Sequence, residues 1–242
     1  MNDVKNYFRD IRRKIIRKDE EAKIAALLER ANESSNHPST PGKLKEEIQD
    51  HGEKALQRAL YNAKESILPI GSVRWLDYEL PVKLTNKGRR ISVDLICELC
   101  GEKQEEKEHP LALCELKYLS PHSQGNEPIV ALLEGMIYFK CVQMEHRALD
   151  LEKIHHRGTK DFSWSLLAQS KNLFIIANAP YWNYWKERDR LDICYKAIKD
   201  WENHINIFMF SLEMEPEYFI NQLGNKLCYK PELQPVQKWK KL

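Results

Sequence analysis

An α/β fold, with a central sheet flanked by helices, is predicted by three features of this 242-residue chain. Its middle holds short runs rich in Val, Ile, Leu, Tyr and Trp, bounded by turn residues and suited to strands. A long stretch, residues 129–154, repeats apolar residues at helical spacing between the third and fourth of these runs. A helix that connects two strands of one sheet makes a parallel crossover, so the later strand should join parallel to an earlier one.

Residues 3–31 are expected to form one helix, because Val4, Phe8, Ile11, Ile15, Ile16, Ile24, Leu27 and Leu28 recur at near-helical spacing among charges. The segment 32–42, NESSNHPSTPG, is rich in Ser, Asn, Pro and Gly and reads as a linker. This divides the chain into an N-terminal helix with linker, 1–42, and a main domain, 43–242. A second helix is expected over about 43–66, with Pro69 just beyond its end. Strands follow at 75–84, 89–97 and 111–119, the first two joined as a hairpin through Thr85-Asn86-Lys87-Gly88. Residues 101–109, GEKQEEKEH, carry no core residue and read as a solvated turn. A loop at 120–128 leads into the crossover helix, whose stripe is Ile129, Leu132, Leu133, Met136, Ile137, Cys141 and Met144. Residues 173–178, LFIIAN, form a short apolar run and read as a buried strand. A helix at 188–203 and a strand at 205–212 complete the pattern.

Composition narrows the function. The chain is 42% hydrophobic and 31% charged, and 38 Lys+Arg against 36 Asp+Glu give a net charge of +2. That excludes the overall basicity of a histone-like coat but leaves room for a local basic patch. No run approaches the roughly 18 apolar residues of a membrane helix. The first thirty residues are too charged for a secretory signal, so a cytoplasmic protein with reduced thiols is expected. The six cysteines include a CxxC pair, Cys97/Cys100, which suggests zinc. A structural zinc site needs two such pairs or nearby His partners, and buried thiols are the plainer reading.

The chemically informative stretch is residues 89–118. Asp94 interrupts the apolar strand Ile91-Ser92-Val93-Asp94-Leu95-Ile96, where an unpaired carboxylate is costly. Glu115 and Lys117, in Leu113-Cys114-Glu115-Leu116-Lys117-Tyr118, stand at i and i+2 and so share one face of a strand. Two strand carboxylates beside a lysine form a hard oxygen site suited to Mg²⁺ or Mn²⁺, next to a cation that can orient water. An ordinary salt bridge on an edge strand is the competing explanation.

With Val93-Asp94-Leu95 followed by Glu115-Leu116-Lys117, the chain resembles the PD-(D/E)XK nuclease superfamily. The order helix, three strands, helix, strand over about 43–178 resembles its restriction-endonuclease-like core, here with an N-terminal helical extension. One departure is that Val93, not proline, precedes Asp94. The resemblance implies metal-dependent hydrolysis of phosphodiester bonds, of DNA before RNA. It implies Mg²⁺ or Mn²⁺ held by Asp94 and Glu115, with the Leu116 main-chain carbonyl as a further ligand, and Lys117 acting on the attacking water. Members often add a glutamate from the first core helix. With Leu56, Leu60, Ala63 and Ile67 as the buried stripe, Glu53 falls roughly 60° from its centre, Glu46 at about 80° and Glu47 nearly opposite. Glu53 is thus the first choice, Glu46 the second, and Glu79 on the neighbouring strand a further candidate. Some families also use a polar residue on the crossover helix, where Glu134 and Tyr138 can share a face.

Clustered cations matter more to a phosphate backbone than a high overall charge. The best placed are Lys87, Arg89 and Arg90, which begin the strand of Asp94. Arg12-Arg13-Lys14 with Arg17-Lys18, and Lys238-Trp239-Lys240-Lys241, are further clusters; the first reads more simply as a solvated run. Tyr181-Trp182-Asn183-Tyr184-Trp185 could stack on bases but is better explained as packing, and Trp164 and Trp201 as core. The N-terminal helix could serve a homodimer or a protein partner. The alternative to an enzyme is an inactive nuclease-fold module that binds nucleic acid or protein.

Overall fold

Among the described residues, seven strands join in one mixed sheet in sequence order: β1 (Glu65–Ile67), β2 (Ser72–Leu84), β3 (Arg90–Cys100), β4 (Leu111–Lys117), β5 (Asn172–Asn178), β6 (Asn206–Leu212) and β7 (Leu233–Pro235). β1 to β4 pair antiparallel, β4–β5 and β5–β6 pair parallel, and β7 returns antiparallel to β6. The structure is a computed structural model that describes residues 1–33, 52–69, 71–84, 90–101, 110–120, 124–152, 162–212 and 231–236. Residues 34–42 of the expected linker, the start of the second helix, the 85–88 turn and nearly all of the 101–109 segment lie outside these residues; Asn32, expected to open the linker, is the last residue of the helix before it. No described helix is long and apolar enough to cross a membrane.

The parallel strands explain the continuous apolar runs. β4 and β5 are buried along their whole length, since helices cover both faces. The crossover from β4 to β5 contains helix α4 (Pro128–Glu152) followed by α5 (Trp164–Ser170). α4 packs on one face with α5, α6 (Ala179–Lys186) and α7 (Leu191–Trp201). The other face carries α3 (Glu53–Ala63), whose Leu56 and Leu60 join Trp75, Leu95, Cys114, Phe174 and Leu233 in a second core. α3 ends where Lys64 turns to φ 67, and β1 follows at once. The helix expected over 43–66 therefore stops three residues early. β1 and β7 also meet: Ile67 N–H donates to the Pro231 carbonyl at 2.8 Å, beside a parallel bridge between Ile67 and Glu232.

The single helix expected over 3–31 is two, α1 (Asn2–Ile15) and α2 (Lys18–Asn32), because Ile16 and Arg17 are extended. Their apolar residues Val4, Phe8, Ile16, Ile24, Leu27, Leu28 and Ala31 belong to the α4-side core. The break is fixed by ion pairs. Arg17 Nε and Nη2 donate to Glu20 at 3.0 and 2.7 Å, and Glu20 Oε1 accepts the Glu127 N–H at 2.8 Å at the start of α4. Glu127 in turn takes Arg190 Nε at 2.9 Å from the start of α7. On the far side, buried Lys83 of β2 donates to the Ala31 carbonyl at 2.8 Å.

The expected helix at 188–203 is α7, preceded by a separate helix α6 that begins directly after β5. Pro180 fits in its first turn, where a missing N–H is harmless. The aromatic cluster is packing: Tyr181, Trp182 and Trp185 are buried, and Trp182 Nε1 donates to the Phe210 carbonyl at 2.8 Å. Trp164 and Trp201 are buried, as expected.

Candidate functional site

The site forms where β3 and β4 part. Their ladder runs from Glu98↔Leu111 to Leu95↔Cys114 and stops one residue short of Asp94. Beyond it the Asp94 carboxylate accepts the Leu116 N–H at 2.8 Å, and the Asp94 carbonyl accepts Gln57 Nε2 of α3 at 2.6 Å. Both backbone groups thus find partners. The aspartate is fixed by main chain on one side and a helix side chain on the other.

Glu115 and Lys117 share a face of β4, as their spacing predicts. Lys117 Nζ lies 2.5 Å from Glu115 Oε1, 3.2 Å from Glu134 Oε2 of α4 and 3.7 Å from Glu53 Oε2 at the first turn of α3. Glu115 and Lys117 are almost fully buried, Glu134 is 14% exposed and Glu53 is 43% exposed. The other oxygen of Glu115, Oε2, is buried without a hydrogen-bond partner. Asn126 reaches Glu134 at 3.4 and 3.5 Å, and its carbonyl takes the Tyr181 hydroxyl at 2.7 Å.

Four carboxyl groups around one ammonium cannot all ionise at ordinary cost. Burial pushes Asp94 above its usual value against the pull of Lys117, and burial together with the Asp94 charge pushes Glu115 well above its own. Burial likewise raises Glu53 to about 7, opposed by Lys117. Burial works to discharge Lys117, but Glu115, Glu134 and Glu53 outweigh it and hold the ammonium charged. An added cation beside these oxygens would offset the cost of burial and favour their ionised forms. Hard oxygen donors of this kind suit Mg²⁺ or Mn²⁺. Among the described residues no three His, Cys, Asp or Glu side chains already form a metal-holding group. The carboxylates instead surround Lys117.

Asp94, Glu115, Lys117 and Glu53 are thus brought together, and Leu116 contributes its N–H to Asp94. Glu134 joins them, whereas Gln57 and Asn126 carry no sequence signal that sets them apart from other polar residues. Glu79, on β2 with φ 50, forms no hydrogen bond or ion pair to the cluster among the described residues. Glu46, Glu47, Lys87, Arg89 and the C-terminal Lys238–Lys241 cluster fall outside the described residues. Arg90 is exposed at the first residue of β3. Arg17, from the first basic cluster, is committed to Glu20 and Glu127.

The CxxC pair does not make a zinc site. Cys97 and Cys100 are three apart on a strand, so their side chains leave opposite faces. Cys97 lies in the α3-side core with its sulfur 3.6 Å from that of Cys114. Compared with protein-family models, curated proteins and solved structures, the chain matches none.

Proposed function

We propose that this chain is a Mg²⁺- or Mn²⁺-dependent nuclease of the PD-(D/E)XK type, built on a restriction-endonuclease-like core and hydrolysing phosphodiester bonds of DNA. The observation that carries the reading is the convergence of Asp94, Glu115 and Lys117 from two neighbouring strands, with one Glu115 oxygen buried and unpartnered. The succession α3, β1, β2, β3, β4, α4, α5, β5 supports it, as helix, strands, helices and strand with the three-residue β1 and the short α5 added.

Asp94, Glu115 and Glu53 would hold the cation, with the Leu116 carbonyl as a further donor. A metal held there would lower the pKa of bound water and polarise a phosphoryl oxygen. The chain's own groups do the rest. Leu116 N–H and Gln57 fix Asp94 before substrate arrives, which is the preorganisation that electrostatic catalysis needs. The Lys117 ammonium orients the attacking water and meets charge that develops on the phosphate. Water oxygen bonds to phosphorus, the ester bond to the leaving sugar oxygen breaks, a proton from the attacking water passes to solvent and one from solvent reaches the leaving oxygen, and the products are a phosphate monoester and a free hydroxyl. Arg90 stands four residues from Asp94, roughly 13 Å along an extended strand. It can therefore meet the backbone beyond the scissile phosphate but not the scissile phosphate itself.

Incubating the protein with plasmid, linear and single-stranded DNA and with RNA, each with Mg²⁺, Mn²⁺ or EDTA, tests the reading. Cleavage should require the metal and fall by at least about 10²–10³-fold in Asp94→Ala and in Lys117→Ala. Cleavage that survives both substitutions would refute the site. No cleavage of any substrate would favour a binding module on the same scaffold.

A further inference from the structure

Lys117 stands on the carboxylates that the metal would need. Its ammonium has three N–H donors and no acceptor. Three carboxylates surround it, from β4, α4 and α3, at 2.5, 3.2 and 3.7 Å. The shortest contact is to Glu115, the residue whose second oxygen is buried with no partner. Glu134 is already within bonding distance, so the ammonium can leave Glu115 and keep a partner without rearrangement. Glu134 is itself held by Asn126, whose side-chain oxygen accepts Lys23 Nζ of α2 at 3.3 Å. Glu53 is the weaker alternative, being farther away and nearly half exposed.

We propose that Lys117 is a built-in counter-cation that competes with a divalent metal for Glu115, and that Glu134 is a positioning residue that receives the ammonium when Glu115 is released. This rests on the metal-site reading above and adds to it how the empty charge is managed and how metal affinity is set. Two opposite effects follow. Removing the ammonium removes a competitor and should tighten metal binding, although the same lysine serves the chemistry. Neutralising Glu134 leaves Lys117 fixed on Glu115 and should weaken metal binding. A simple ligand role for Glu134 predicts the same weakening, and the double variant separates the two.

The test is a Mn²⁺ titration of the full chain at neutral pH, read by the electron-spin signal of free Mn²⁺, for wild type, Lys117→Met, Glu134→Gln and the double variant. Circular dichroism verifies that each is folded, and Lys117→Gln replaces Lys117→Met if the latter does not fold. Lys117→Met should bind Mn²⁺ roughly tenfold more tightly and Glu134→Gln roughly tenfold more weakly, within the coupling expected of contacting charges. In the Lys117→Met background, Glu134→Gln should change affinity less than about twofold if its only role is to hold Lys117. Unchanged or weaker binding in the folded Lys117 variant overturns the proposal. So does a Glu134→Gln effect of equal size in both backgrounds, which would make Glu134 a ligand. Absence of Mn²⁺ binding in wild type and Lys117 variants alike overturns the metal reading itself, a result distinct from the other two.

Discussion

Truncating Glu20 to alanine tests whether the N-terminal helices are part of the domain or an appendage. Glu20 is fully buried, and its carboxylate accepts two guanidinium bonds from Arg17 and the Glu127 N–H. Losing one partner of a buried charged network typically costs about 3–5 kcal/mol. Two features reduce that figure here. The Arg17 side chain is 42% exposed and can turn to water, and removing Glu20 relieves its repulsion of Glu127. The orphaned Glu127 N–H, worth about 1–3 kcal/mol, is the part that remains, together with lost packing. A net loss of about 2–3 kcal/mol follows. For a chain of this size that lowers the melting temperature by about 4–12 °C. Thermal melts followed by circular dichroism at neutral pH measure it, and Glu20→Gln, which keeps an acceptor for the Glu127 N–H, should fall between Ala and wild type. A shift under 2 °C would refute the reasoning. A separate early transition would show instead that α1 and α2 unfold on their own.

Glu53 supplies a pH dependence. Its carboxyl is raised from 4.5 to about 7 in the folded chain, so its contribution to stability is complete below about pH 4.5 and lost as pH rises through 7. Melting temperatures of metal-free protein between pH 5 and 8 should therefore fall more steeply for wild type than for Glu53→Gln, and equal slopes would contradict the assignment. Gly135 lets α4 approach β5: an added Cβ would lie 2.9 Å from Leu173 Cδ1 and 3.3 Å from Ile175 Cδ1. Gly135→Ala should cost about 1 kcal/mol net, overpacking of about 1–3 less a helix-propensity gain of about 1. Urea unfolding measures this; a stabilised variant would show that the sheet yields freely.

Much of the fold was legible because its central strands are buried on both faces. Residues 173–177 had to be apolar throughout to lie between two helical layers, and α4 had to be apolar to cover them; it is buried nearly all round as far as Val142, whereas Met144, the end of the expected stripe, is exposed. What was hidden depended on distant partners. The break at Ile16–Arg17 answers to Glu127, more than a hundred residues away, and the local pattern of apolar residues runs through it unbroken. β1 and β7 span three residues each, too few for alternation to register. At the site, Asp94, Glu115 and Lys117 were visible as charges misplaced in apolar strands. Helical phase brought Glu53 within reach of them through Leu56 and Leu60, although Ile67, also assigned to that stripe, lies exposed on β1. Gln57 was invisible because an amide on a helix announces nothing; its role exists only because the β3–β4 ladder ends at Leu95.

The meeting of Ile67 with Pro231 and Glu232 has a consequence for the order of folding. The contact joins positions about 160 residues apart, and Leu233 completes the core around α3. Such long-range closures slow folding more than they cost in stability, because loop entropy grows only with the logarithm of length. A nascent chain can form the β2–β3 hairpin early, but the helix bearing Glu53 and Gln57 is left unroofed until the last described strand arrives. The clasp is thus a late checkpoint: a chain stalled before residue 231 holds all its charged site residues yet lacks the closing seam of the layer that positions them.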